Sequence, residues 1–401
     1  MRDVKMTADT KRRGRKVVLA YSGGLDTSVC IPLLREKYGF EEVIAVTVDV
    51  GQPPADIERA KKRASSLSDR HVVVDAKDEF VEMIFRAVKA NASYEGYVLG
   101  TALARPVIAM KVLEVAAYEG ADAVAHGCTG KGNDQLRFDA VFRTSRFEIV
   151  APIRELNLTR EEEREYAEEH GIHVEKEHRW SIDENLWSRS IEGAELEDPA
   201  FQPPEEIFQW TVSPAEAPED EIIEIHFERG IPVSLDGNRM DGVSLILSLN
   251  KTGGKHGIGR TDIVEDRVLG FKSREIYEHP AATILLNAHA DLERLVLTRA
   301  EIQFKSIADA VWSELVYKGL TIEPLYEALN AFIDKTQERV SGTVRVKLHK
   351  GNAIVVGRKS PNAIFTKDVS FDAKTEQKMA EGFSFYHAFQ AGICARTCHK
   401  S

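Results

Sequence analysis

Cysteine is scarce in this sequence. The four present, Cys30, Cys128, Cys394 and Cys398, are too few and too scattered for a disulfide framework. Cys394 and Cys398 form a C-x-x-x-C pair with no second pair beside it, which argues for reduced thiols over a zinc site, and so for a cytosolic protein. Positive charge is in deficit as well: 53 Lys and Arg stand against 64 Asp and Glu, a formal net charge of −11. That balance disfavours a polyanion as the main partner, because tracking a nucleic-acid backbone needs a basic surface; no nucleic acid is expected. No window approaches the roughly 20 apolar residues of a membrane helix, so no membrane partner is expected. The opening stretch MRDVKMTADTKRRGRK is basic without an apolar segment before the first strand, and reads as a solvated tail over 1–15.

With 401 residues, 43% apolar and 29% charged, the chain has the composition of a soluble globular protein longer than one core usually serves. The first third alternates strand and helix signals. Strands are expected at 16–21, 43–49, 71–75, 121–126 and 147–152. Helices are expected at 27–38, 55–67, 80–91, 105–119 and 159–171. Apolar strands with little alternation between helices predict a parallel α/β sheet covered on both faces. From 195 to 221 proline and acid residues mark an excursion or linker, and an α+β pattern follows. It includes an alternating strand at 222–230, a helix at 299–319 and a hairpin over 343–357 turning at Lys350-Gly351-Asn352. The expected domains are therefore a nucleotide-binding domain over 16–175, a second domain over 176–360 and a C-terminal helical tail over 361–401.

Ligands in such sheets bind beyond the carboxyl ends of the strands, where the strand order reverses. Two glycine-rich loops follow strands and are candidates for one shared site: SGG at 22–24 and HGCTGKGND at 126–134. The first, inside AYSGGLDTS, is neither a P-loop, for it lacks the lysine, nor a dinucleotide fingerprint. What remains is a tight Gly23-Gly24 turn whose amides can face an anion, beside a helix start bearing Thr27 and Ser28. In the second loop Asn133 and Arg137 share a helix face next to Asp134. Arg137 can grip a carboxylate and Asp134 an ammonium, a set suited to amino acids. Each loop also has a bland reading, a glycine-rich turn with capping hydroxyls and a helix cap with a surface ion pair.

Ser-Gly-Gly-x-Asp-[Ser/Thr] resembles the pyrophosphate loop of the N-type ATP pyrophosphatases. Five segments together, AYSGGLDTS (20–28), YVLGTALARP (97–106), HGCTGKGNDQLRF (126–138), WSIDENLWSRS (180–190) and the 250–280 stretch, resemble the argininosuccinate synthase family, over roughly Lys16 to Pro361. The resemblance implies ATP-dependent joining of citrulline and aspartate through citrullyl-AMP, giving argininosuccinate, AMP and pyrophosphate. It implies ATP contacts from Ala20, Tyr21, Ser22, Gly23, Gly24, Leu25, Asp26, Thr27, Ser28, Val48 and Gly127. It implies aspartate contacts from Thr129, Asn133 and Asp134, and citrulline contacts from Tyr97, Asn133, Arg137, Ser181, Ser190, Glu265 and Tyr277. Many members carry a serine where this chain has Ala102; one lost hydroxyl is worth about 1 kcal/mol. Magnesium with the triphosphate, a homotetramer assembled with help from the tail, and arginine biosynthesis in the cytoplasm complete what the resemblance implies.

The chemistry needs no covalent enzyme intermediate. A ureido oxygen attacks the α-phosphorus, pyrophosphate leaves, and the aspartate amine displaces AMP from the activated carbon, so positioning and charge stabilisation are what the site supplies. Ser22 and Asp26 are the candidate catalytic residues, Asp26 orienting either a metal or a pyrophosphate-bound water. His126 and His256 lie within motif loops as candidate substrate contacts, while Trp180 and Trp187 read as packing. Cys128 lacks an evident base, against a nucleophilic role. Rival readings fit less well: an RNA-thiolating pyrophosphatase needs a basic module, an amidotransferase-coupled synthetase needs a glutaminase portion, and a non-catalytic nucleotide-binding module leaves the 126–138 and 250–280 motifs without a purpose.

Overall fold

A computed structural model describes residues 14–173, 179–366 and 378–398; the basic segment 1–13 and part of the tail lie outside the described residues. The first half builds β1 (Lys16–Ala20), α1 (Leu25–Glu36), β2 (Glu42–Asp49), α2 (Pro54–Leu67), β3 (Arg70–Asp75), α3 (Lys77–Lys89), α4 (Gly100–Glu119), β4 (Ala123–His126), α5 (Asp134–Phe142), β5 (Glu148–Val150), α6 (Pro152–Glu155) and α7 (Arg160–Glu169). Its strands form one parallel sheet in the order β3-β2-β1-β4-β5. Successive residues feed different cores. Val17 and Leu19 pack with α1, α2 and α7, whereas Val18 and Ala20 join the cluster under α3 and α4. Both faces are therefore buried, which is why these strands read as continuous apolar runs.

Helix starts differ from expectation in an informative way. The sequence predicts α4 from Arg105, yet the helix begins at Gly100 and runs through Pro106. The Tyr97 hydroxyl accepts the amides of Thr101 (2.7 Å) and Ala102 (3.3 Å), satisfying donors that a helix start otherwise leaves orphaned. In α1, Gly24 takes an extended conformation and caps a helix that begins at Leu25, two residues earlier than predicted.

The remainder of this compact unit, which spans residues to 362, contains two antiparallel sheets. Its elements are β6 (Ser181–Glu184), β7 (Arg189–Glu192), β8 (Glu221–Glu228), β9 (Ile231–Leu235), β10 (Asn238–Arg239), α8 (Gly242–Lys255), β11 (Arg260–Asp266), β12 (Lys272–Glu278), α9 (Pro280–Val296), α10 (Arg299–Tyr317), α11 (Pro324–Gln337), β13 (Gly342–His349) and β14 (Asn352–Lys359). One sheet runs β10-β9-β8-β13-β14, its buried residues alternating along β8 and β13 beneath α9. The other runs β11-β12-β7-β6. The hairpin turns at Lys350-Gly351, while Asn352, expected in the turn, is already paired with His349 at the start of β14.

The proline-rich excursion is ordered. Leu196 and Ile207 pack on Ile191 and Ile276. The wholly buried Glu278 carboxylate anchors it, accepting the amides of Gln209 (3.0 Å), Trp210 (2.8 Å) and Thr211 (2.9 Å), the Thr211 hydroxyl (2.7 Å) and the Arg189 guanidinium (2.8 Å). Separately, 363–401 forms its own unit, with helices α12 (Lys378–Tyr386) and α13 (Phe389–Cys398) that leave Phe383, Phe385 and Tyr386 exposed.

Candidate active site

The strand order reverses between β1 and β4, and both glycine-rich loops leave the sheet at that point. Ala20 and His126 are paired, so the loops start side by side. They also touch: a Cβ placed on Gly127 would lie 3.0 Å from the Thr27 side chain and 3.1 Å from its amide nitrogen.

The first loop is a backbone cradle. Gly23 has φ +81°, and a Cβ there would sit 2.7 Å from the Cα of Ala60 on α2, so only glycine fits. The Arg63 guanidinium donates to the Gly23 carbonyl. Ser22 and Thr27 hydroxyls lie 3.2 Å apart at the exposed mouth, and the Ser22 oxygen accepts the Gly24 amide at 3.3 Å. Asp26 forms an ion pair with Arg160, at the start of α7. Ser28 points the other way: its hydroxyl is fully buried, 3.1 Å from that of Tyr21. Leu25 is buried too. Val48, the last residue but one of β2, lies in the core, its carbonyl accepting the Gln52 side-chain amide at 2.8 Å. Just past it, Gly51–Pro54, Glu184–Leu186 and Trp210 line a cavity of about 310 Å³. A wider depression of about 580 Å³, between Arg70–Val73 and Glu114–Glu119, contains none of the sequence-predicted site residues.

The second loop carries charge. Asp134 accepts from Arg105 at 2.8 Å and from Arg137 at 2.7 Å, and Arg105 also pairs with Asp183. Burial works against the Asp134 charge, but the two guanidinium groups overcome it and hold the carboxyl at about 2. Arg137 donates to the Tyr317 carbonyl from two nitrogens, at 3.1 and 2.9 Å, and lies over the Tyr317 ring. Its fork is thus engaged by the protein, not left open to a carboxylate. The Asn133 amide oxygen accepts the Val268 amide at 3.1 Å, and Thr129 keeps its hydroxyl without a partner among the described residues. His126 is buried against Asp139, and His256 against Glu221, so both are enclosed by protein. Burial pushes the Cys128 thiol up, away from reactivity.

Above this loop, Tyr97 stacks on Tyr277 (4.6 Å between centroids) and meets Tyr317 edge-on at 6.3 Å. Glu265 accepts from the Tyr317 hydroxyl at 3.0 Å and lies 3.4 Å from that of Tyr277, which also donates to Glu275 at 2.5 Å. Burial pushes all three phenols above their ordinary range, so they stay protonated donors at neutral pH. Burial first, then the Glu192 and Glu265 charges, push Glu275 up to about 8. Ser190 pairs with Tyr277 across β7 and β12 and with Asp183 across β6; Ser181 lies two residues along β6, exposed. Trp187 is wholly buried and donates to the Val98 carbonyl at 2.9 Å, the packing role its sequence suggests.

The structure therefore gathers Tyr97, Asn133, Asp134, Arg137, Ser190, Glu265 and Tyr277 around residues that sequence reasoning missed: Arg105, Asp183, Arg267, Glu275 and Tyr317. The first four lie inside segments already singled out, where a charged residue amid motif positions was the available signal. Tyr317 gave none, being the last residue of an amphipathic helix.

Comparison with known proteins agrees with this geometry. Residues 16–173 match the arginosuccinate synthase N-terminal HUP domain and residues 180–394 the arginosuccinate synthase C-terminal domain. An argininosuccinate synthase of Archaeoglobus fulgidus is 62% identical over 95% of this chain and 99% of its own. One of Methanosarcina barkeri is 61% identical over 96% and 99%, and one of Methanocaldococcus jannaschii 58% over 94% and 97%. Two touching loops at a strand-order switch, with both halves matched almost end to end, establish that this chain belongs to the argininosuccinate synthase family, the ligases of arginine biosynthesis.

Proposed function

We propose that the two loops hold ATP, citrulline and aspartate in the order the family's reaction needs, with citrullyl-AMP formed and consumed between them. The observation that carries this is the contact of Gly127 with Thr27, which brings a phosphate cradle against an amino-acid loop. Backbone amides at Ser22–Gly24 receive the departing pyrophosphate; Ala20, Tyr21 and Leu25–Ser28 frame that cradle, and Val48 borders the adenosine. Asp26, Ser22 and Thr27 offer the hard oxygen donors that magnesium takes. Carried with the triphosphate, that ion would neutralise charge on the leaving group.

On the acceptor side, Tyr97, Tyr277 and Glu265 hold citrulline from one flank, with Ser181 and Ser190 at its edge. Arg137, locked by Asp134 and Tyr317, contributes positive potential and a rigid wall. Thr129, Asn133 and Asp134 receive aspartate. An anionic Asp134 also draws an ammonium, which must give up a proton before the free amine can attack. The tail's exposed aromatics support a homotetramer, testable by sedimentation; the cytoplasm is the compartment proposed for it.

Pyrophosphate release is the deciding assay, run with all three substrates and with each omitted. Release that requires ATP and citrulline, with argininosuccinate formed only when aspartate is added, is the expected result. Release without citrulline, or none with all three present, overturns the reading.

A further inference from the structure

We propose that Arg267 holds a carboxylate of the incoming aspartate, an assignment that rests on the reaction proposed above. Arg267 opens the turn between β11 and β12, a turn closed by bonds of 2.8 Å from its amide to the Phe271 carbonyl and from the Gly270 amide to its own carbonyl. That turn is clamped to the second loop, because the next amide, of Val268, donates to Asn133. The backbone thus delivers the Arg267 side chain to the flank of the loop that carries Thr129, Asn133 and Asp134. Gly132 leaves this flank open: a Cβ placed there would lie 4.0 Å from one terminal nitrogen of Arg267, Nη1.

Only part of the guanidinium is used. Nη2 donates to Glu192 at 2.5 Å and to Glu275 at 3.0 Å. Nε is fully buried and has no acceptor, and Nη1 makes no hydrogen bond among the described residues. The buried Nε–H shares its edge of the guanidinium with Nη2 and the two glutamates, so the donor left on the Gly132 flank is Nη1. The neighbouring arginines differ. Arg105 binds Asp134 and Asp183, Arg137 binds Asp134 and the Tyr317 carbonyl, and neither leaves a fully buried N–H unpartnered. An amino acid with two carboxylates, arriving at a loop whose own charged member is an anion, meets its waiting donors at Arg267. Glu192 and Glu275 already occupy Nη2, which leaves Nη1 as the terminal nitrogen open to a carboxylate. The carboxylate therefore enters from the Gly132 side. No bond is made or broken at Arg267; it is a substrate-holding residue, not a catalytic one.

The test uses the full-length enzyme and separates the two half-reactions. Exchange of labelled pyrophosphate into ATP with citrulline alone reports formation of the adenylate and does not involve aspartate. Arg267→Lys and Arg267→Gln are each expected to raise the KM for aspartate about ten- to hundredfold, the worth of a charge-assisted hydrogen bond. The exchange rate and the KM for citrulline are expected to change much less than the KM for aspartate, the contact of Glu275 with Tyr277 being the one route by which they change. Because exchange needs an intact site, its retention also reports that the variants fold. An unchanged aspartate KM in both variants overturns the proposal, as does a parallel loss of exchange and of aspartate affinity. Wild-type enzyme without citrulline-dependent exchange would instead sink the underlying reaction and leave Arg267 as structure.

Discussion

The two loops of the site meet the same demand, holding charge in place, by opposite means. The first loop does it with main chain: two glycines, a capped helix and hydroxyls at the mouth, all within nine residues. The second does it with side chains drawn from six elements, α4, α5, β6, β11, β12 and α10, whose arginines, carboxylates and phenols neutralise one another. A phosphate can be gripped by amides, which are present in any sequence and need only the right dihedral angles. Two amino acids need cations, anions and their spacing, and burying these requires that each be paired. The contrast shows why one side of the site is compact in the sequence and the other dispersed.

Substitutions can break or sharpen this contrast, and the scaffold of the side-chain half gives the largest effect. Glu278→Ala leaves the amides of Gln209, Trp210 and Thr211 without their acceptor and Arg189 with Glu184 as its remaining carboxylate, and is expected to cost about 3–5 kcal/mol in urea unfolding. On the main-chain half, Gly23→Ala forces a left-handed alanine against the Ala60 backbone. A shifted cradle is expected to lower kcat/KM for ATP about a hundredfold, while calorimetry still detects citrulline.

Arg105→Ala comes next. It removes the partner that helps hold Asp134 at about 2, so Asp134 protonates nearer the ordinary carboxylate range. The acid limb of the rate profile is expected to move to higher pH in the variant. In the wild type, stability from charged Asp134 is complete above its ordinary value near 3.8 and is lost as pH falls through about 2. Glu275 has the reverse sign. Its folded value is raised to about 8 from 4.5, so its contribution is complete below 4.5 and lost as pH rises through 8. Glu275→Gln should flatten the stability profile in that window, read by unfolding at a series of pH values. Ala102→Ser is the smallest change, expected to lower the citrulline KM no more than about fivefold.

How much was legible follows from the same contrast. SGG at the end of the first strand and HGCTGKGND at the end of the fourth place the site at one sheet edge from sequence alone, because strand-loop-helix signals are local. The parallel sheet was legible for the same reason. Tyr317 was not, since it reaches the site only through the packing of α10 against α4, 180 residues from the Arg137 it binds. Arg137 itself shows the limit: it lies beside Asp134 on α5, but a bidentate grip on a carboxylate assumed a free fork, and the Tyr317 carbonyl occupies it. The start of α4 was misjudged because a side chain, Tyr97, does the capping from outside the helix.

The bare contact of Gly127 with Thr27 sets a limit on what evolution can alter here. With a glycine on one side of that contact and the short Thr27 side chain on the other, the span that a transferred group must cross is set chiefly by main chain and sheet pairing. Residues around the rim can change which molecules are admitted and how firmly they stay, but the distance of the transfer itself is inherited with the fold.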